Sequence, residues 1–166
     1  MTTKMPTKTI VLISCSNIKR ETAATAAELY TSQLFIASRT YAENNGDGYA
    51  ILSARHGLLM PTATVEPYDH KLGGSADARR VWGSRVQADI LELCDYHDIT
   101  RDRGRVLARF IILAGRNYCE ALPKWMQAAA TFPLAGKQIG ERLQWLSREN
   151  QRQAAPPRCR QGLLFV

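Results

Sequence analysis

The run TIVLIS, Thr9–Ser14, decides the fold class of this 166-residue chain. Its interior is apolar without a break and is dominated by β-branched side chains. A strand with one wet face alternates apolar and polar residues, whereas one covered on both faces does not, and the second pattern belongs to parallel sheets. YAILSA, Tyr49–Ala54, and VLARFIILA, Val106–Ala114, repeat the signal. Between the first two runs, Ala24–Asn44 reads as a helix, with Leu29, Leu34, Ser38 and Tyr41 at steps of three to five and Phe35 on the same side; Asn45-Gly46-Asp47-Gly48 ends it.

Leu58–Gly74 reads as a long irregular segment. Ser75 then caps a helix with Asp77 in its first turn and Val81, Trp82, Val86, Ile90 and Leu93 on its apolar face. Asp95–Arg105 is a charged connection. Tyr118–Ala130 reads as a short helix holding Pro123, Phe132-Pro133-Leu134 as a brief fourth strand, and Gly140–Gln153 as a final amphipathic helix. Alternation of strand and helix predicts an α/β fold: a single-domain three-layer sandwich with a mostly parallel central sheet, spanning residues 1–166 with a core at about 9–153 and a tail at 154–166.

In such sheets ligands collect at the carboxyl ends of the strands. Three exits are therefore expected to converge: Ser14-Cys15-Ser16-Asn17 with Lys19 after the first, Ser53 with Arg55-His56-Gly57 after the second, and Gly115-Arg116 after the third. Small side chains admit a ligand to the backbone, and Lys19, Arg55 and Arg116 suit a phosphate. Cys15 reads either as an inert, buried thiol or as a nucleophile activated by His56, which also has the titration range for acid–base work. In VEPYD, Glu66 and Asp69 flank a rigid Pro67-Tyr68 turn. They suit a catalytic carboxylate beside a stacking Tyr68, or equally a turn whose carboxylates pair with Arg55 or Lys71. Tyr30 and Ser32 either reach the same cleft or stay on a helix surface. Trp82, Trp125 and Trp145 read as core residues rather than base-stacking platforms.

Composition narrows the class. With 45% hydrophobic and 22% charged residues the chain is that of an ordinary globular protein, and no apolar run approaches the ~18 residues of a membrane span. MTTKMPTKT lacks the apolar stretch of a signal peptide, so a cytoplasmic location is expected. The four cysteines are scattered, and no metal or cofactor is implied. The formal charge of +7 is uneven: residues 1–100 hold 10 basic and 11 acidic side chains, residues 101–166 hold 12 and 4. That excess favours an anionic partner such as nucleic acid.

The segments VLISCSNIK, ELYTSQLF, AILSARHGLLMPTATVEPYD and GERLQWL, covering about Thr9 to Leu146, resemble a bacterial and phage domain family of YaaA-like type. The peroxide-stress members of that group carry a segment of the form LSxxYGxLxPxDxIxPYRxxM, matched here by Leu52, Ser53, Gly57, Leu59, Pro61, Pro67 and Tyr68; His56 replaces its Tyr and Asp69 its Arg. Ser14, Cys15, Ser16 and Lys19 are also similar to a PCSxxKPY-type motif of the archaeosine synthase core, without the Pro-Tyr. That core resembles the uracil-DNA glycosylase fold. The resemblance implies nucleic acid or a modified nucleobase as substrate or partner.

The expected function is therefore an enzyme acting on a nucleobase in DNA, by glycosylase-like N-glycosidic hydrolysis or by base modification. Asp69, in preference to Glu66, would activate water or stabilise an oxocarbenium ion; His56 would protonate the departing base, Tyr68 would stack, and the basic carboxyl-terminal region would hold phosphates. The alternatives are a non-catalytic YaaA-type DNA-binding stress protein, and an enzyme on free nucleotides or nucleosides that uses Lys19 and Arg116. Nothing in the sequence sets the oligomeric state.

Overall fold

The computed structural model describes residues 8–96, 99, 101–102, 105–106 and 108–154. The TIVLIS strand, β1 (Lys8–Ser14), is flanked by parallel neighbours on both sides. In chain order it is followed by β2 (Ala24–Thr25), α1 (Ala26–Leu29), α2 (Gln33–Asn45), β3 (Gly48–Ser53), β4 (Gly57–Leu59), β5 (Thr64–Val65) and α3 (Ala76–Tyr96). Then come β6 (Arg101–Asp102), β7 (Arg105–Val106), β8 (Ala108–Leu113), α4 (Arg116–Ala121), α5 (Lys124–Ala129) and α6 (Ile139–Ala154). The main sheet runs β4-β3-β1-β8, parallel except for β4. Register places Ser14 beside Leu52 and Ile13 beside Leu113, so β1, β3 and β8 finish level with one another.

Alternate residues of β1 feed two cores. Ile10 and Leu12 pack with Leu52, Trp82, Val86, Ile90, Phe110 and Met126, the layer supplied by α3, α4 and α5. Val11 and Ile13 pack with Leu29, Phe35, Tyr41, Ile51 and Leu146, the layer supplied by α1, α2 and α6. The four apolar residues of β1 are fully buried, which explains the unbroken apolar run. Helices thus cover both faces of a mostly parallel α/β sheet. Where α3 crosses α4 the helices approach closely at Gly83, because any Cβ there would overlap the carbonyl oxygen of Ala121. Among the described residues no helix is long and apolar enough to cross a membrane.

Several boundaries differ from the sequence expectation. The helix expected over Ala24–Asn44 is broken: Ala24–Thr25 pairs antiparallel with Thr64–Val65, and Tyr30 and Ser32 are extended. The second piece begins where Ser32 Oγ accepts the Phe35 N–H at 3.2 Å, an N-cap that the apolar spacing alone runs through. The helix over Tyr118–Ala130 is also two helices, because Leu122, preceding Pro123, is held extended at ψ 154°. Phe132–Leu134 forms no strand; Thr131, just before it, makes a single parallel bridge to Ile111. Leu58–Gly74 is less irregular than its composition suggests, since β4 and β5 lie in it. Val81 faces solvent at 63% exposure instead of joining the apolar face of α3. Of the tryptophans, Trp82 is core, Trp145 packs on Tyr41 and Trp125 stays 39% exposed, edge-on to Phe110. Residues 155–166, nearly all of the expected tail with Arg158 and Arg160, lie outside the described residues, as does part of the charged connection.

Candidate functional site

From β1 the chain crosses through α2 to β3 on one side, then returns through α3 to β8 on the other. Opposite crossovers leave a crevice at the carboxyl ends of the two strands between which the order reverses, here β1 and β8. A cleft of about 600 Å³ opens there. Its floor is Ser14, Cys15, Ser16, Asn17 and Gly115; Ser32 at the start of α2 and Arg142 in the first turns of α6 add polar groups. Leu34, Phe35, Leu134, Ile139 and Leu143 form an apolar wall. Among the described residues no acidic side chain lines it. Arg142 donates through Nε to the Lys137 carbonyl at 2.8 Å, and one Nη lies 3.8 Å from where a Gly115 Cβ would sit. Arg142 makes no ion pair among the described residues.

A second cluster lies across the end of β1. Tyr68 Oη stands 2.7 Å from Ser53 Oγ and 2.8 Å from Tyr30 Oη, and Ser53 Oγ accepts the His56 N–H at 3.1 Å. All three hydroxyl-bearing residues are buried. Because Ser53 accepts from the backbone, its hydrogen is available to Tyr68, and that of Tyr68 to Tyr30. Trp82 Nε1 donates to the Ser53 carbonyl at 2.8 Å and fixes the strand end from behind. Cys15 Sγ, shared with the cleft floor, lies 3.1 Å from Tyr118 Oη. Lys19 Nζ sits 4.4 Å from the centre of the Tyr68 ring, Arg55 Cζ sits 5.9 Å from it, and the His56 ring meets it edge-on at 5.2 Å.

Burial, and then the neighbouring Cys15 sulfur, push the hydroxyls of Tyr68 and Tyr118 well above the ordinary phenol range. Burial likewise takes Tyr30 up to about 12. These phenols therefore keep their protons near neutral pH. His56 moves the other way: burial first, then the charges of Arg55 and Arg85, lower its pKa and favour the neutral imidazole.

With the β1-to-α6 frame described, the match of a family model becomes meaningful: it spans residues 10–148 and is described as a family of unknown function, DUF6884. The chain belongs to the DUF6884 family. No curated protein and no solved structure matches it. The DUF6884 match runs from β1 into α6, and so takes in both walls of the cleft and the tyrosine cluster.

The sequence-derived residues separate into three groups in this DUF6884 chain. Ser14, Cys15, Ser16, Asn17, Ser32 and Gly115 line the cleft; Lys19, Tyr30, Ser53, Arg55, His56 and Tyr68 form the adjoining cluster, with Cys15 between the two. The remaining four sit elsewhere. Gly57, at φ +80°, makes the turn into β4 beside Asp89 and Arg85. Arg116 is exposed, pairs with Glu120 one turn along α4 and lines a different cavity. Glu66 and Asp69 are exposed, line no part of the cleft, and make no hydrogen bond or ion pair among the described residues. The Pro67 turn directs Tyr68 inward and leaves both carboxylates outside, so neither paired reading of them, with Arg55 or with Lys71, occurs. Nor does His56 touch the Cys15 thiol; Tyr118 does. Tyr118, Arg142 and Leu143 were missed because helices far along the chain bring them in. Among the described residues no three His, Cys, Asp or Glu side chains gather as a metal site.

Proposed function

We propose that this protein binds nucleic acid and acts on a nucleobase held in the cleft at the ends of β1 and β8, by N-glycosidic cleavage or by base modification. The observation that carries the reading is the make-up of that cleft. About 600 Å³ falls within the usual range for ligand pockets, with one apolar wall, a floor of small polar residues and the Arg142 guanidinium, which has no carboxylate partner among the described residues. A flat heteroaromatic ring needs an apolar face and a few polar groups at its edge, and an extruded base brings its phosphate with it. The resemblance to the YaaA-like and archaeosine synthase groups supports the same reading, and with it a uracil-DNA glycosylase-like arrangement of the sheet.

The catalytic groups on this reading come from the cluster behind Cys15. Cys15 is the link, since it lines the cleft and its sulfur lies 3.1 Å from Tyr118 Oη, whose O–H and the N–H of neutral His56 are the donors nearest to hand; the Tyr68 hydrogen is already given to Tyr30, and exposed Asp69 and Glu66 stand apart from the cluster. That same lack of a carboxylate favours a second reading, a non-catalytic protein that binds nucleic acid through the cleft.

Mass spectrometry of bases released from, or altered in, genomic and phage DNA after incubation with the protein tests the first reading. The expected result is a changed base profile that Leu143→Trp, which fills the cleft, abolishes. Unchanged DNA combined with binding that Leu143→Trp and Arg142→Ala weaken selects the second reading. Unchanged DNA and unaltered binding in both variants removes both.

A further inference from the structure

Four of the described arginines are paired along their own helices. Arg39 pairs with Glu43, Arg80 with Asp77, Arg116 with Glu120 and Arg152 with Glu149, each three or four residues apart. Lys19 and Arg55 have no partner of that kind. Neither makes an ion pair among the described residues, and the chain has no carboxylate within four residues of Arg55. They converge instead on one ring, that of Tyr68, where Lys19 Nζ lies 4.4 Å and Arg55 Cζ 5.9 Å from its centre and His56 packs against its edge.

This convergence is built into the fold. The Tyr68 ring is held at its hydroxyl by Ser53 and Tyr30. Lys19 is bridged to Tyr30 through the backbone, with Thr31 N–H on the Ile18 carbonyl at 3.0 Å and Arg20 N–H on the Leu29 carbonyl at 2.8 Å to either side. Its Nζ also lies 5.7 Å from the Tyr30 ring. The Arg85 guanidinium reaches the Arg55 carbonyl at 3.4 Å from α3, which adds a third positive charge behind the pair. Asp89, the carboxylate beside Arg85 near Gly57, accepts the Leu58 N–H at 3.0 Å and offsets that third charge, which leaves Lys19 and Arg55 as the cations of the cluster. A cation over an aromatic face gains on the order of 1 kcal/mol at an exposed site, which orients Lys19 and Arg55 without neutralising them. Two fixed, unneutralised cations beside an imidazole are the complement of a compact anion with several acceptor oxygens.

We propose that Lys19, Arg55 and His56, gathered on Tyr68, form a cradle for a phosphoryl group, and that the ligand of the neighbouring cleft is accordingly a nucleotide rather than a free base or nucleoside. The cleft ends at Ile18 and the cradle begins at Lys19, so one strand exit serves both. The second half of the statement rests on the reading of the cleft as a nucleobase site; the cradle itself does not. The phosphoryl group comes from a free nucleotide or from the backbone of a strand, and the two sources differ in how affinity grows with length.

The test titrates the full chain by calorimetry with inorganic phosphate, thymidine, thymidine 5′-monophosphate and a short thymidine oligonucleotide. The monophosphate is expected to bind at least about tenfold more tightly than thymidine, and Arg55→Gln and Lys19→Met each to weaken phosphate and monophosphate about tenfold, the worth of one hydrogen bond to a charged group. Arg80→Gln, which removes a paired surface cation, is expected to change neither. An oligonucleotide that outbinds the monophosphate identifies a strand, and equal binding identifies a free nucleotide. Lys19→Met keeps the stem over the rings; should it fail to fold, exposed Arg55→Gln decides alone. Phosphate affinity unchanged in Arg55→Gln, or no phosphate binding by the wild type, overturns the cradle whatever thymidine does. Phosphate binding without any thymidine or oligonucleotide binding leaves the cradle standing and removes the reading of the cleft.

Discussion

Replacing Tyr68 by Phe isolates the hydroxyl that joins the end of β3 and the residue after α1 to the loop after β5. The ring keeps its packing, but Tyr30 Oη loses its partner at 2.8 Å and Ser53 Oγ loses the group at 2.7 Å. Tyr30 is 1% and Ser53 0% exposed, so water cannot replace what is lost. A buried hydroxyl left without a partner costs about 1–3 kcal/mol, and two of them, one still accepting the His56 N–H, suggest about 3 kcal/mol for Tyr68→Phe. Tyr30→Phe alone leaves Tyr68 bonded to Ser53 and is expected to cost about 1 kcal/mol. In the double variant only Ser53 remains short of a partner, so the loss is about 2 kcal/mol rather than the ~4 kcal/mol of a simple sum. Urea unfolding followed by circular dichroism, with a constant m-value, measures all three, and for a chain of this size Tyr68→Phe should lower Tm by about 6–12 °C. A Tyr68→Phe cost below ~0.5 kcal/mol, or additive costs in the double variant, would refute the hydroxyl chain.

Two further outcomes follow from packing and charge. Gly83→Ala places a methyl against the Ala121 carbonyl, a backbone atom that moves only with α4, and should cost about 2–3 kcal/mol by urea unfolding; a change below ~0.5 kcal/mol would show that α3 and α4 separate freely. His56 has a folded pKa below its unfolded value, so its contribution to stability is complete above the unfolded pKa near 6.5 and is lost as pH falls through the folded value. Tm measured from pH 8 to pH 5 should therefore fall less steeply in His56→Gln than in the wild type, and parallel profiles would contradict the assignment.

How far the sequence could be read depended on the range of the interaction that fixed each feature. β1 was legible because burial on both faces writes itself into a continuous run of side chains, and the Ser75 cap because its hydroxyl accepts the Ala78 N–H three residues away. The break at Tyr30–Ser32 was hidden, since Leu29 and Leu34 keep an acceptable helical spacing across it while the pairing of Ala24–Thr25 with Thr64–Val65, some forty residues on, pulls the chain out of the helix. In the site, the small residues and cations after β1 and β3 are neighbours because strand ends in a parallel sheet must finish together. Glu66 and Asp69 were chosen for their chemistry, and nothing local records that the turn at Pro67 puts Tyr68 in and the carboxylates out. Arg142 and Leu143 reach the cleft only because α6 packs on α2, a contact between segments about a hundred residues apart.

Thr131 has a consequence beyond marking where a strand was expected. Its N–H goes to the Phe110 carbonyl at 2.9 Å and its carbonyl takes the Ile112 N–H at 2.8 Å, so one residue occupies one carbonyl and one N–H on the outer side of β8. β8 ends the main sheet on that side, and a bare, apolar outer strand would be a template on which a second copy could add its own strand. A single residue, too short to extend the sheet, covers that template at one point. A strand arriving from another copy would have to displace both of those hydrogen bonds before it could pair along β8.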